Sequence, residues 1–275
     1  MCSTTASDHI LENEIDSFDS PSIPLSWSSS IFLRTEMNAV LNLIQDRRSV
    51  RVPFDPHRPI AKEDLKTILE SAQWAPTPHN MQNFEILVVD DRKVLKKLGD
   101  IESSVTEIFL RENLEQLSFS EEELRRKKVG ILGTMFPPSF RDPKKFKEVA
   151  NESPPQPLTY AISGSPVLLI VIYDSRKRAP DSEGDVLGLV GLGCVMENMW
   201  LMATSLGISV RILSDLGDKL VDVQVKKVLN IPDHMNVVYG LRLGYPISAT
   251  PKLLRVRRDL KDFTHHNGYA NQGFE

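Results

Sequence analysis

Residues 74–89 read WAPTPHNMQNFEILVV. Two prolines, a histidine and three side-chain amides stand directly before a run of strand formers. A simple turn needs one or two such residues; this stretch carries enough hydrogen-bonding groups to hold something. Asn80, Gln82 and Asn83 can each donate and accept, which suits a heterocycle presenting both kinds of edge. Pro76 and Pro78 stiffen the loop that would aim them. The plainer reading is a proline-rich turn with solvated amides.

Upstream, a helical pattern starts at Glu36, with Val40, Leu41, Leu43 and Ile44 apolar, and ends near Arg47 and Arg48. A loop with three prolines, SVRVPFDPHRPI, follows. A second helix opens around residues 59–64, its apolar Leu65, Ile68, Leu69 and Ala72 fitting a 3.6 period. Downstream, residues 85–89 predict a strand and 94–98 a helix. Residues 101–160 are the least regular part. Within them Ser120 followed by three glutamates marks a helix start, and proline clusters at 136–138 and 154–157 punctuate a long connection. Such a connection on a compact fold is often a lid or specificity element. Residues 167–173, VLLIVIY, predict a fully buried strand. A long helix over about 187–206 stops at Gly207. Then come a strand or loop at 208–213, a helix at 219–229 and a strand at 237–243. This alternation indicates an α/β or α+β core.

The chain has 275 residues, 41% hydrophobic and 25% charged, enough for a sizeable core. Its net charge of −4 argues against a nucleic-acid binder held by phosphate contacts. Cys2 and Cys194 lie far apart with no CxxC pair, which excludes a disulfide scaffold and a cysteine-rich metal site and fits a reducing compartment. The first residues show no basic region leading into an apolar one, so a cytoplasmic protein without a secretory signal is expected. The apolar run 186–210 is broken at its centre by Glu197 and Asn198, which reads as a buried helix of a soluble protein and not as a membrane span.

Three clusters could carry chemistry. Arg47, Arg48, Ser49 and Arg51 place three guanidinium forks and a hydroxyl at a helix end, a set that can grip an oxyanion; the bland reading is a cationic terminus complementing the helix dipole. The loop amides are the second cluster. The third is Arg255, Arg257 and Arg258 in the tail, which alone would be a solvated basic run. No GxGxxG follows a strand, and there is no P-loop or HExxH. His265 and His266 read as an exposed pair, not metal ligands, and Met196, Met199 and Met202 as core filling.

The order of these motifs resembles the nitroreductase family of flavin enzymes. A helix ending in RRSVR, a loop with Phe54, IAKEDL at 60–65 and the SAQWAPTPHNMQNFEILVV segment are similar to its N-terminal half. ENMWLMATSLGI at 197–208 is similar to its central dimer helix. Ile231-Pro232, YGLRLGYP at 239–246 and the tail with Arg257, Arg258, Asp259, Leu260, His266 and Asn267 resemble its later segments. The match spans about 36–269, apart from 101–160. The resemblance implies an α+β fold of three α/β/α layers with a mainly antiparallel sheet, in a homodimer that binds FMN. The implied domain covers 36–275, with a variable insertion at about 101–160; the residues before it, 1–35, are rich in Ser, Asp and Pro over 1–30 without sustained periodicity and read as a flexible arm, with Trp27, Ile31, Phe32 and Leu33 expected to pack onto the body. Carried over by position, Arg47 and Ser49 hold the FMN phosphate, beside Arg48, with Arg257 or Arg255 reaching it from the tail. Arg51 faces the N1/C2 edge of the ring, and Asn80 the pyrimidine edge, with Gln82 and Asn83 nearby. No protein acid is required, because hydride can leave the flavin directly.

The sequence departs from the family at three places. Asn83 stands where proline is usual, and Phe84 where tryptophan is frequent. SVRILSDLG at 209–217 replaces a glycine-rich loop that covers one flavin face. Three functions follow as expectations. The first is reduction of a small organic acceptor, such as a nitroaromatic or a quinone, by NAD(P)H. The second is FMN-dependent oxidation of a biosynthetic intermediate by oxygen. The third is flavin-free binding on the same scaffold, against which the retained Arg47, Ser49, Arg51 and Asn80 argue.

Overall fold

The computed structural model describes residues 30–162, 164–251, 253–271 and 273–275, without the side chains of 30–37, 139 and 160. The expected packing of Trp27, Ile31, Phe32 and Leu33 therefore lies outside the described residues, as does Cys2. The chain divides into two units, residues 1–42 and 43–275. Among the described residues the first holds most of helix α1 (Ser30–Asp46), which begins six residues earlier than its apolar pattern predicts.

The second unit is built on a strand with no polar face. It contains α2 (Lys62–Gln73), β1 (Phe84–Val89), α3 (Arg92–Gly99), β2 (Glu102–Ser103), α4 (Glu107–Leu110), β3 (Ser118–Phe119), α5 (Glu121–Lys127) and β4 (Ile131–Leu132). It continues with α6 (Phe146–Glu152), β5 (Gln156–Pro157), α7 (Thr159–Ile162), β6 (Val167–Asp174), α8 (Val186–Ser205), β7 (Ser209–Leu213), α9 (Lys219–Leu229) and β8 (Met235–Gly244). The main sheet has the order β1-β6-β8-β7, and all its pairs are antiparallel. β6 sits inside it, so its side chains must be apolar in both directions. Val167, Leu169 and Val171 enter one core with Ile68 and Ala72 of α2 and with Leu192, Val195 and Met199 of α8. The alternate residues Leu168, Ile170 and Ile172 enter a second core with Leu95 and Leu98 of α3, Ile162 of α7, and Val221 and Val225 of α9. Helices thus cover both faces of the sheet, and the molecule is α+β. Truncating a buried leucine of β6 costs about 2–5 kcal/mol.

Local chemistry sets the ends of these elements. Asp91 caps α3 by accepting from the amides of Lys93 and Val94. Ser120 and Glu123 form the capping box that opens α5. Gly207, at φ 71°, ends α8 in a left-handed turn in which the Ile208 amide donates to the Ala203 carbonyl at 2.8 Å.

The irregular stretch 101–160 is folded. Leu110, Leu114 and Phe146 form a small core of their own, with Val105, Phe136 and Phe140 packed against it. β3 and β4 pair in parallel, Ser118 opposite Ile131. Two-residue strands and short helices carry too little periodicity to be read from a sequence.

Candidate functional site

The segment after α1 is held at several points by its backbone. The Arg48 carbonyl accepts from the indole Nε1 of Trp200 at 3.2 Å. Ser49 bridges Val210, and the Val50 amide donates to the Val210 carbonyl at 2.9 Å. The Val52 carbonyl accepts from Nη2 of Arg242 at 2.8 Å. Val50 turns its side chain into the interior, and Arg51 remains exposed. Successive residues of an extended chain point to opposite sides, so this pinning sends Ser49 and Arg51 the same way.

The structure brings the three arginines of this segment together with the tail, about two hundred residues later. Arg47, Arg48, Ser49 and Arg51 line a cavity of about 380 Å³ opposite Leu253, Leu254, Arg255 and Arg257. A second opening of about 500 Å³ shares Arg47, Arg48, Arg255 and Arg257 and adds Gln45 and Glu197. Both tail arginines named from the sequence reach the cluster, whereas Arg258 lies over Phe263, 5.3 Å from its ring centroid. Arg255 is anchored, its Nη1 donating to the Gln45 carbonyl at 2.7 Å. Arg47 rests 4.7 Å from the centroid of Trp200 and 3.4 Å from the Glu197 carboxylate.

The electrostatics are those of an anion site. Among the described residues no carboxylate lines the smaller cavity, against five guanidinium groups and the hydroxyls of Ser49 and Thr250. Arg255 is held below the usual guanidinium range, first by desolvation and then by repulsion from Arg257, Arg48 and Arg47. A bound anion relieves that repulsion, and planar forks with a hydroxyl match the oxygens of a phosphate monoester.

The loop amides do not line this cavity. Pro78–Asn80 forms a 3-10 turn, and His79, Asn80 and Gln82 take left-handed backbone angles of φ 49°, 52° and 42°. Three such residues close together store strain that the surrounding structure must hold. Gln82 Nε2 donates to Asn80 Oδ1 at 2.8 Å, and the Gln82 amide to Thr77 Oγ1 at 3.2 Å, so the two amides orient each other. Asn83 is a correction. It is buried, its Nδ2 donates to the Lys177 carbonyl at 3.3 Å and its own carbonyl accepts from Asp174. Its side chain fastens the loop to the turn after β6, and unlike Asn80 and Gln82 it is turned away from the surface. The SVRILSDLG segment is strand β7 and a following 3-10 turn, with Val210 paired to Leu243.

Several contributors were missed from the sequence. Gly130, Ile131, Leu132 and Met135 of the irregular stretch form a wall of the cavity, and nothing in their sequence announces it. Arg242 could have been found. It is the lone charge in the strand NVVYGLRLG and is fully buried, with its guanidinium 4.4 Å from the centroid of Phe54. The tail histidines contact Tyr269 and Phe274. Among the described residues no group of three His, Cys, Asp or Glu could hold a metal ion.

The model of the Nitroreductase family matches residues 44–245. The chain belongs to the nitroreductase family. Membership makes it an oxidoreductase, and it leaves the tail arginines beyond the matched residues. An NADPH-dependent oxidoreductase of Staphylococcus aureus is 23% identical over 231 residues, 84% of this chain and 74% of that relative. A relative from Archaeoglobus fulgidus, named for NADH dehydrogenase or NAD(P)H nitroreductase activity, is 42% identical over 64 residues, and the match spans 36% of its length. The nitroreductase with bound FMN from Bacteroides fragilis shares the fold with a TM-score of 0.51 and 23% identity, over 79% of this chain and 94% of that one.

Proposed function

We propose that this nitroreductase-family chain is an FMN-dependent oxidoreductase that reduces a small organic acceptor, such as a nitroaromatic or a quinone, with NAD(P)H. One observation carries the reading: six residues separated by about two hundred positions, Arg47, Arg48, Ser49, Arg51, Arg255 and Arg257, converge on one cavity with no carboxylate among the described residues of its lining. The FMN bound by the Bacteroides relative and the NADPH named for the Staphylococcus one point the same way. Arg47, Ser49, Arg255 and Arg257 hold the phosphate. Arg51 lies along the electron-accepting edge of the ring, and Asn80 and Gln82 supply its donor and acceptor pairs. When bound, FMN supplies two-electron hydride chemistry. The protein's part is to bind, orient and bias charge, and no side chain is assigned as a general acid.

The reading extends to a cytoplasmic homodimer of three-layer α/β/α subunits. The span Glu183–Ser205 is long and apolar enough to cross a membrane, with 39% of its apolar window buried. Its C-terminal half is core, through Val195, Met199, Trp200 and Ala203. Its N-terminal half exposes Val186, Leu187, Leu189 and Val190, and Trp74 is exposed as well. A second copy covering these residues is the simplest account of that surface.

The deciding experiment is the visible spectrum of the purified protein and of its heat-released supernatant, with chromatography of the flavin. FMN in the supernatant, and bleaching of bound flavin on anaerobic mixing with NADPH or NADH, are expected. FAD, or no flavin after reconstitution with FMN, rejects the cofactor. Bound FMN that neither nucleotide bleaches rejects the direction and favours the oxidase reading.

A further inference from the structure

The cavity wall and the tail meet at one polar contact. Lys128 Nζ donates to Asp259 Oδ2 across 131 positions of sequence. Each partner is fixed on its own side. Lys128 is the left-handed cap of α5, its amide donating to the Leu124 carbonyl at 2.8 Å. The chain then passes through Gly130 at φ 87°, where a Cβ would stand 2.5 Å from the Leu117 carbonyl oxygen, and enters β4. The wall formed by Ile131 and Leu132 is therefore aimed by a turn that only glycine allows. Asp259 caps the turn Leu260–Asp262, its amide donating to Asp262 Oδ2 at 3.1 Å. Four residues earlier Arg255 is tied to the Gln45 carbonyl. The tail is thus a strap anchored at 255 and 259, with Arg257 between the anchors.

We propose that the segment 128–135 is the closing wall of the anion site, and that Lys128, through Asp259, positions the tail arginines on the ligand. Wall and strap then form one clasp whose opening sets how long a phosphate-bearing ligand stays. The choice of FMN as that ligand rests on the function proposed above; the clasp itself rests on the two anchors and the shared cavity. The pair holds Lys128 above and Asp259 below their ordinary ranges, each chiefly through the hydrogen bond to the other. Both side chains are substantially exposed, so the contact is weak and screened by salt. A weak, screened latch suits a closure that must open.

A simpler role for Lys128 is long-range attraction of an anion. The two roles give opposite signs at Asp259. If only the field matters, Asp259→Asn removes a negative charge near the site and slows ligand release. If the clasp matters, the same change frees the strap and speeds release, and asparagine still caps the following turn.

The test is stopped-flow FMN dissociation from the full-length holoprotein, followed by recovery of flavin fluorescence. Lys128→Met and Asp259→Asn are each expected to raise the off-rate about two- to fivefold, the range of an exposed ion pair. The exchanged pair, Lys128→Asp with Asp259→Lys, restores the contact and is expected to return it to within about twofold of the parent, a rescue that a merely structural role does not give, while the sign of the Asp259→Asn effect separates the clasp from the field. Slower release from Asp259→Asn, or an unchanged rate in both single variants, overturns the proposal. A parent protein that binds no FMN rejects the cofactor but leaves the clasp testable by hydrogen exchange. Lys128→Met must then speed exchange in both 128–135 and 255–263, and faster exchange confined to one segment overturns it.

Discussion

Trp200 holds Arg48 from behind, its indole Nε1 donating to the Arg48 carbonyl at 3.2 Å, while the face of the same ring lies 4.7 Å from the Arg47 guanidinium. The aromatic is rooted in the core of α8. Helix packing thus fixes the start of the anion-binding segment, at Arg47 and Arg48, as β7 and Arg242 fix its continuation. Trp200→Phe keeps a ring under Arg47 and deletes the donor. A net hydrogen bond is worth about 0.5–1.5 kcal/mol, so FMN affinity is expected to fall about two- to tenfold with a stability loss of similar size. Fluorescence titration and urea unfolding check both, and no change in either removes Trp200 from the site.

Arg47→Ala is expected to act on affinity alone. Losing a charge-assisted phosphate contact forfeits about 1.5–3 kcal/mol, roughly ten- to a hundredfold in the dissociation constant. The flavin midpoint potential stays put, because the phosphate is remote from the ring. An unchanged dissociation constant shows that the phosphate lies elsewhere.

The parts of this molecule that repeat a period were legible in the sequence. β6 announced itself by the seven apolar residues 167–173, one short of its observed end at Asp174, and α9 was read at its observed bounds. The arginine cluster was legible as a pattern of side chains, and its tail partner only through the order of motifs. What stayed hidden depends on contacts between distant segments. Gly130–Leu132 forms a wall because β4 pairs with β3, and Lys128 matters because Asp259 returns beside it. Asn83 misled because an amide that ties a loop to its own sheet has the same letters as one that reads a ligand. Its neighbours Asn80 and Gln82 are exposed and bond to each other, a difference that the letters do not carry.

Tyr239 gives a pH prediction. Its hydroxyl donates to the Leu192 carbonyl of α8 at 2.9 Å, and burial pushes its pKa far above the ordinary tyrosine value. The folded state therefore keeps a proton that the unfolded state releases. Stability is intact below about pH 10 and falls as pH rises above it, by up to about 1.4 kcal/mol per pH unit. Tyr239→Phe is expected to cost about 1 kcal/mol at pH 7 and to flatten this alkaline loss. Parallel urea titrations of both proteins at pH 8 to 11 decide, and equal slopes refute the assignment.

The exposed half of α8 gives a test of assembly that leaves the core alone. Leu189 and Val190 face solvent in the single chain, so a charge there does not disturb packing within it. Light scattering is expected to give a dimer for the parent and a monomer for Leu189→Glu at low concentration. A parent that is monomeric with flavin retained removes the second copy from the site.

Arg51 is the residue expected to tune the chemistry. It lines the arginine cavity, and its neighbours Val50 and Val52 are each fastened by their backbone to β7 or to Arg242. Two-electron reduction of a flavin places negative charge on the N1/C2 edge. A fixed cation there stabilises the reduced form more than the oxidised one, which is differential stabilisation of developing charge. Arg51→Ala is therefore expected to keep much of the FMN affinity while lowering the midpoint potential and slowing reduction by NAD(P)H. For a two-electron couple about 30 mV equals 1.4 kcal/mol, so a loss of about 1–2 kcal/mol predicts a drop on the order of 20–45 mV. Arg51→Lys is expected to recover most of it, because this edge needs a charge and not a bidentate fork. Arg47→Ala supplies the contrast, with weakened binding at an unaltered potential. If Arg51 is only an exposed residue of a proline-rich loop, the potentials of the parent, Arg51→Ala and Arg51→Lys coincide. Dye equilibration of the three proteins separates these outcomes, and equal potentials remove Arg51 from the flavin edge.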